Sequence, residues 1–334
     1  MGCSQQEHRL ADLDAVDHED VGRKSHSGCK FGILWAVKEP PPLRPGDTVA
    51  VVSPSGTPNA ILLKRGVERL ESLGLKVVIG PHALDRGLPY LAGPDAVRAL
   101  DLQTAWCDPA VAAVFCARGG YGAARILERL DWNLMRAAGP KTLVGSSDIT
   151  ALHHVFGAEL GLATLHGPMP ACDPFADEPL TWESLQSALY GGPYTVRGER
   201  VLVPGRAEGE LAGGNLSLLA SLCGTRYHPS FAGKLVFLED VGEDPYRVDR
   251  MLTQLLQAGA FRGARGFALG SWLDCGDPYP TLLDRLGPLG VPVVAGLPAG
   301  HGSPQFSVWL GALGVIDTES CSLAGRFRDA DTAM

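Results

Sequence analysis

The stretch "LVGSSDITALHH", Leu143–His154, takes an apolar run, Thr142-Leu143-Val144, through a glycine-serine turn and into helical spacing. A short apolar run closed by turn residues and followed by a helix reads as a buried strand feeding a crossover. The same unit recurs upstream. "TVAVVSPSG" reads as a strand ending in a turn, and "NAILLKRGVERLESLG" as a helix closed by Gly74. "LKVVIG" is a second strand, Asp95 to Trp106 a helix, "VAAVFCA" a third strand, "AARILERL" a short helix and "KTLVG" a fourth strand. Strands that alternate with helices predict a parallel sheet covered on both faces.

Downstream the texture changes. "ACDPFADEPLTWESLQSALYGGPYTV" is rich in Pro, Gly and acids and reads as a linker with one helix. Beyond it come "GGNLSLLASLCGT", the strands "KLVFLED", "GFALGSWL" and "VPVVAG", and the helix "DPYRVDRMLTQLLQAG". The fold class expected is α/β: an N-terminal parallel sheet flanked by helices plus a C-terminal α/β domain, with the active site in the cleft between them. The boundaries expected are 43–170 and 206–330 for the two domains, 171–205 for the linker, and 1–42 for a disordered extension or the product of a start codon placed too far upstream.

The chain has 334 residues and a net charge of −8, enough length for a substantial core and no basic run for nucleic acid or an anionic membrane. Eight cysteines are scattered without a C-x-x-C pair, which argues against a zinc site and for a reducing, cytoplasmic setting. No apolar stretch is long enough to span a bilayer, and the polar first 36 residues lack the order of a secretory signal.

Adjacent serines before a helix are most often caps. Gly145 stands two before Ser147, which selects Ser147 over Ser146 for a nucleophile elbow, but Ile149 occupies the place of the second glycine in G-x-S-x-G. At a helix start, the N–H of Asp148 would face a developing oxyanion. "CARGGYGAARIL" offers a second donor at Gly119 or Gly120; its rival readings are a phosphate loop and a plain turn. A serine needs a base and the base an orienting acid. His301, between two glycines in "GLPAGHGSPQ", follows a strand; structural roles suit His82, His153, His154, His166 and His228 better. Glu239 ends the apolar run Leu235–Leu238, where a carboxylate needs a partner, with Asp240 as its rival. Glu243, Asp244, Arg247, Asp249 and Arg250 read as a charged helix face. Ser147, Glu239 and His301 all follow the C-terminal ends of predicted strands, the edge where α/β sheets bind ligands.

"LRPGDTVAVVSPSG", "CARGGYGAARIL", "GSSDITALH", "LHGP", "GGNLSLLASLCGT", "LVFLEDVGEDPYRVDRML" and "GLPAGHG" resemble, in this order, the LD-carboxypeptidases, cytoplasmic serine peptidases of the murein tetrapeptide carboxypeptidase and microcin-immunity group. The resemblance covers about residues 43–327. It implies a Ser147-Glu239-His301 triad, oxyanion donors on the backbone of Asp148 and Gly120, no metal or organic cofactor, and a homodimer. The family usually has an aromatic residue where this chain has Ser146. The implied reaction releases D-alanine from a murein tetrapeptide. Arg118 is a candidate for the substrate carboxylate or a loop brace, and Asn215 a candidate for orienting substrate. A microcin-immunity activity on aminoacyl-nucleotides would need a stacking surface, for which Trp272 and Tyr279 are candidates. A non-catalytic binding protein for cell-wall peptides is the remaining alternative.

Overall fold

The structure, a computed structural model, describes residues 37–326. The fourteen strands among the described residues are β1 (Thr48–Val52), β2 (Lys76–Ile79), β3 (Val111–Cys116), β4 (Thr142–Gly145), β5 (Thr164–His166), β6 (Tyr194–Arg197), β7 (Arg200–Val203), β8 (Arg206–Asn215), β9 (Leu235–Val241), β10 (Gly266–Leu273), β11 (Val293–Ala295), β12 (Val308–Leu310), β13 (Leu313–Asp317) and β14 (Ser322–Arg326). They form two sheets. One runs β12-β5-β4-β3-β1-β2 and the other β6-β14-β13-β8-β9-β10-β11-β7.

In the first sheet β1 to β5 pair in parallel and β12 joins β5 antiparallel. The crossovers are the expected helices. Ala60–Glu71 starts at Asn59, whose side chain accepts from the Ile61 and Leu62 N–H groups and so satisfies two orphan donors of the first turn. Asp95–Cys107 and Thr150–Leu160 pack on the opposite face. There Trp106 lies edge-on to Phe156, with centroids 4.8 Å apart, and donates from its indole nitrogen to Met135 O. Such a buried indole needs that partner. In the second sheet β8 to β11 are parallel and the flanking strands antiparallel, so this is the two-domain α/β architecture expected.

Three details differ from expectation. Residues 1–36 lie outside the described residues, but Lys38, placed in the extension, is tied to the first domain: its N–H donates to Gly161 O and its carbonyl accepts from Ala163 N–H. Residues 171–205, read as a linker with one helix, hold the helices Asp173–Asp177 and Pro179–Leu189 and also β6 and β7, because those strands find free edges on the second sheet. Finally, β12 belongs to the first sheet although it lies late in the chain. The loop between β11 and β12 therefore leaves one sheet and enters the other.

β8 was not read as a strand because "RAEGELAGGN" is rich in residues that avoid strands. Its glycines are there for space. A Cβ at Gly213 would lie 1.9 Å from Phe237 O, and one at Gly214 would lie 2.5 Å from Thr150 Oγ1; both residues have φ of +134°. Only glycine allows this approach in that conformation.

Candidate active site

β4 ends at Gly145, Ser146 is extended, and Ser147 then turns with φ of +60° into a short 3-10 turn and the helix Thr150–Leu160. A left-handed serine costs of order 1–3 kcal/mol and persists only where its surroundings hold it. The hold is visible. The Ile149 N–H donates to Ser146 O, and Ile149 packs so close that a Cβ on Gly145 would lie 2.8 Å from its side chain. Gly145 thus makes room for the isoleucine that replaces the second glycine of the elbow pattern. Ser147 is half-buried, whereas Ser146 is buried and its hydroxyl accepts from Gln305 Nε2 at 3.3 Å.

The loop after β3 lies against this turn. A Cβ on Gly119 would lie 2.8 Å from Ser147 Cβ, 3.0 Å from its Oγ and 3.4 Å from Asp148 N. Gly120, one residue on, has φ of +112°, and among the described residues nothing accepts a hydrogen bond from its N–H. The Asp148 side chain fixes this geometry. Its buried carboxylate accepts from the Ser55 hydroxyl and from Ala123 N–H at 2.7 Å, linking the loops after β1, β3 and β4. Burial raises its pKa, against the pull of those two bonds and of the Arg98 charge. Arg98, 1% exposed, holds the same loops through Pro54 O and Gly122 O. Sequence reading missed Ser55 and Arg98 and gave Asp148 only a backbone role.

Glu239 is fully buried near the end of β9. Its Oε2 accepts from His301 Nδ1–H at 2.7 Å and from His301 N–H at 3.1 Å. A Cβ on the neighbouring Gly300 would lie 2.6 Å from that same oxygen, so glycine there lets the histidine loop close on the acid. Burial opposes a charge on either group. The mutual bond and Coulomb attraction outweigh it, holding Glu239 below the usual carboxylate value and His301 above the usual histidine value, with Asp240 adding to the latter. Asp240 is itself raised to about 6, by burial and then by the Glu239 charge. The two halves meet through Asn215 N–H, which donates to Thr150 Oγ1, and through Gln305, four residues after His301, on Ser146. Among the described residues no hydrogen bond joins Ser147 to His301; such bonds are often long before substrate binds.

The remaining candidates separate by engagement. Asn215 is buried, with its amide donating to Asp240 Oδ1 and its carbonyl oxygen accepting from Ser217 Oγ and Leu218 N–H. It caps the helix Leu216–Ser221, and both ends of its side chain are in use. Arg118 is exposed, with one long bond, 3.3 Å, to Thr57 O. Trp272 is buried in the second core, and the Tyr279 ring lies beneath the Arg200 guanidinium at 4.3 Å, so neither offers the free stacking face sought from the sequence. His153 is buried against Gly145 O and His82 pairs with Asp101, as structural histidines do. Glu243 and Asp244 pair with Arg247, the charged helix face expected. Among the described residues no cluster of His, Cys, Asp or Glu is arranged to hold a metal, and no helix is long and apolar enough to cross a membrane.

Family models for the LD-carboxypeptidase N-terminal and C-terminal domains match residues 49–167 and 208–316. The chain belongs to the LD-carboxypeptidase family. The murein tetrapeptide carboxypeptidase of Pseudomonas aeruginosa is 34% identical over 282 residues, 78% of this chain and 90% of that one. A Bacillus subtilis protein named as a probable murein peptide carboxypeptidase is 40% identical over 301 residues, 86% of this chain and 94% of its own. Among solved structures, the microcin self-immunity protein MccF in complex with aspartyl sulfamoyl adenosine matches with a TM-score of 0.78 at 26% identity, over 86% of this chain and 98% of MccF. In this member of the family Ser147 lies in the N-terminal matched region, and Glu239 and His301 lie in the C-terminal one.

Proposed function

We propose that this chain is a serine carboxypeptidase that hydrolyses the L,D bond before the terminal D-alanine of a murein tetrapeptide. The observation that carries this is the left-handed Ser147 set against Gly119 at the head of a helix, in a chain whose Glu239 holds His301 by two bonds. Ser147 Oγ attacks the scissile carbonyl carbon while His301 Nε2 takes its proton. Asp148 N–H and Gly120 N–H stabilise the oxyanion; one such donor contributes about 3 kcal/mol to the transition state. The C–N bond then breaks, His301 returns the proton to the D-alanine amine, and water releases the tripeptide by the reverse sequence. Glu239 keeps Nε2 free and stabilises the imidazolium. Arg118, exposed beside this loop, binds the terminal carboxylate.

The similarity to MccF supports a second reading, hydrolysis of an aminoacyl-nucleotide conjugate. It carries less weight here because Trp272 and Tyr279 are engaged elsewhere. The resemblance implies a cytoplasmic homodimer, which we propose for this chain. Sedimentation of the full chain tests the dimer. For the reaction, murein tetrapeptide is incubated with wild type, Ser146→Ala and Ser147→Ala and followed by mass spectrometry. Loss of one alanine with the first two alone supports the proposal. Cleavage by Ser147→Ala overturns the assignment of the nucleophile, and no cleavage by wild type turns the choice to a nucleotide conjugate or to a binding role.

A further inference from the structure

His166 ends β5, paired in register with Gly145 on one side and Val308 on the other, so its backbone is held by both neighbours of the nucleophile sheet. Its ring is fully buried, edge-on to Phe237 with centroids 5.0 Å apart. Phe237 lies two residues before Glu239, on the same face of β9. His166 Nε2 comes within 3.9 Å of Glu239 Oε1. Among the described residues neither atom has a hydrogen-bond partner, nor has His166 Nδ1, although all three are buried, while Glu239 Oε2 already takes both bonds from His301. A buried carboxylate oxygen without a donor is costly, and the donor within reach is one ring nitrogen under 1 Å too far.

We propose that His166 is a positioning residue for Glu239, its Nε2–H donating to Oε1 and fixing the carboxylate that orients His301. This rests on the reading of Ser147, Glu239 and His301 as the catalytic triad. Burial drives His166 down to about 4, against the attraction of Glu239 and with the repulsion of His301, so the ring is neutral and supplies a proton rather than a charge. The other titratable ring beside it, His153, with centroids 6.0 Å apart, donates from Nε2 to Gly145 O, and among the described residues its buried Nδ1 has no partner. With one oxygen tied to His166 and the other to His301, Glu239 has no freedom to rotate.

The test uses the full chain and tetrapeptide hydrolysis, with His166→Phe, His166→Gln and Glu239→Gln, alone and combined. His166→Phe keeps the ring shape and removes the donor; kcat falls ~10- to 100-fold with KM unchanged, the scale of one hydrogen bond to a charged group. His166→Gln, which can present an N–H, recovers most of that loss. In the Glu239→Gln background His166→Phe costs little more, because the residue acts through the acid. Losses that are equal for Phe and Gln and follow the melting temperature, or that add to Glu239→Gln, overturn the proposal. In the wild type, nitrogen NMR of His166 must show the proton on Nε2; a proton on Nδ1 overturns it without any variant. Full activity of Glu239→Gln alone removes the triad reading beneath it, whereas a crippled Glu239→Gln beside a fully active His166→Phe removes only this inference.

Discussion

Glu239 offers a single oxygen, Oε2, to two donors of His301, the ring Nδ1–H at 2.7 Å and the backbone N–H at 3.1 Å. The backbone bond fixes where the loop sits and the ring bond fixes how the imidazole turns, so one buried carboxylate sets both. Because the ring bond is made through Nδ1, Nε2 of the histidine is not used by the acid.

The pH profile follows from that pair. Burial lowers the affinity of His301 for a proton, but the Glu239 bond and the Glu239 and Asp240 charges more than reverse it, above the ordinary value of 6.5. A general base works only when neutral. The acid limb of kcat/KM therefore rises with a midpoint above 6.5, and Asp240→Asn, which removes one of those charges, moves it down. A limb at or below 6.5 in wild type contradicts the assignment of His301. The same pair stabilises the fold in a bounded window. The histidine part is fully present below 6.5 and lost as pH rises through the raised value; the Glu239 part is present above 4.5 and lost as pH falls through its depressed value.

Gly119→Ala isolates the contact between the glycine loop and the nucleophile. Gly119 is not in the left-handed region, so alanine fits its backbone, but its Cβ would meet Ser147 Oγ at 3.0 Å and Cβ at 2.8 Å. We expect kcat to fall at least ~100-fold, as a misplaced nucleophile should cost, with a melting temperature within a few degrees of wild type. A variant that keeps its activity would show that the loop gives way.

The position of the candidate residues was legible because they lie where strands end, and buried parallel strands announce themselves as apolar runs. Ser147 was chosen over Ser146 from Gly145 alone, and Glu239 from the run that delivers it into the core. What stayed hidden depends on backbones approaching closely. β8 looked like loop because its glycines admit Phe237 O and Thr150. β12 was missed because three residues carry little periodicity, and it joins a sheet built mostly from residues far earlier in the chain. Asn215 illustrates the converse: a candidate for orienting substrate, it has its side chain occupied by a cap and by Asp240.

Ser147→Gly separates the nucleophile from the elbow. The hydroxyl is lost and activity with it, yet glycine adopts a φ of +60° without strain. The variant should be more stable than wild type by about 1 kcal/mol, read from chemical denaturation, because the left-handed cost is relieved. Ser147→Ala keeps the strain and gains nothing. Ser146→Ala behaves in the opposite way: it gives up the Gln305 bond at 3.3 Å, at about 1 kcal/mol, and retains turnover. Equal stability of the glycine and alanine variants would show that the turn is not strained.

Arg118→Ala tests how the chain recognises a free C-terminus. The side chain is exposed, its one bond to Thr57 O is long, and its guanidinium lies 3.9 Å from where a Cβ on Gly120 would be, at the rim of the oxyanion loop. A group so little engaged does nothing for the fold, and removing it should leave the melting temperature unchanged. If it binds the substrate carboxylate, the loss falls on KM, by ~10-fold or more for a charge-assisted pair. Arg118→Lys keeps the charge but not the planar fork, so it should recover only part of the affinity. A tetrapeptide amidated at its C-terminus sharpens the result: wild type and Arg118→Ala should then hydrolyse it equally poorly. An unchanged KM for the acid, with kcat reduced instead, would assign Arg118 to bracing the glycine loop rather than to binding the carboxylate.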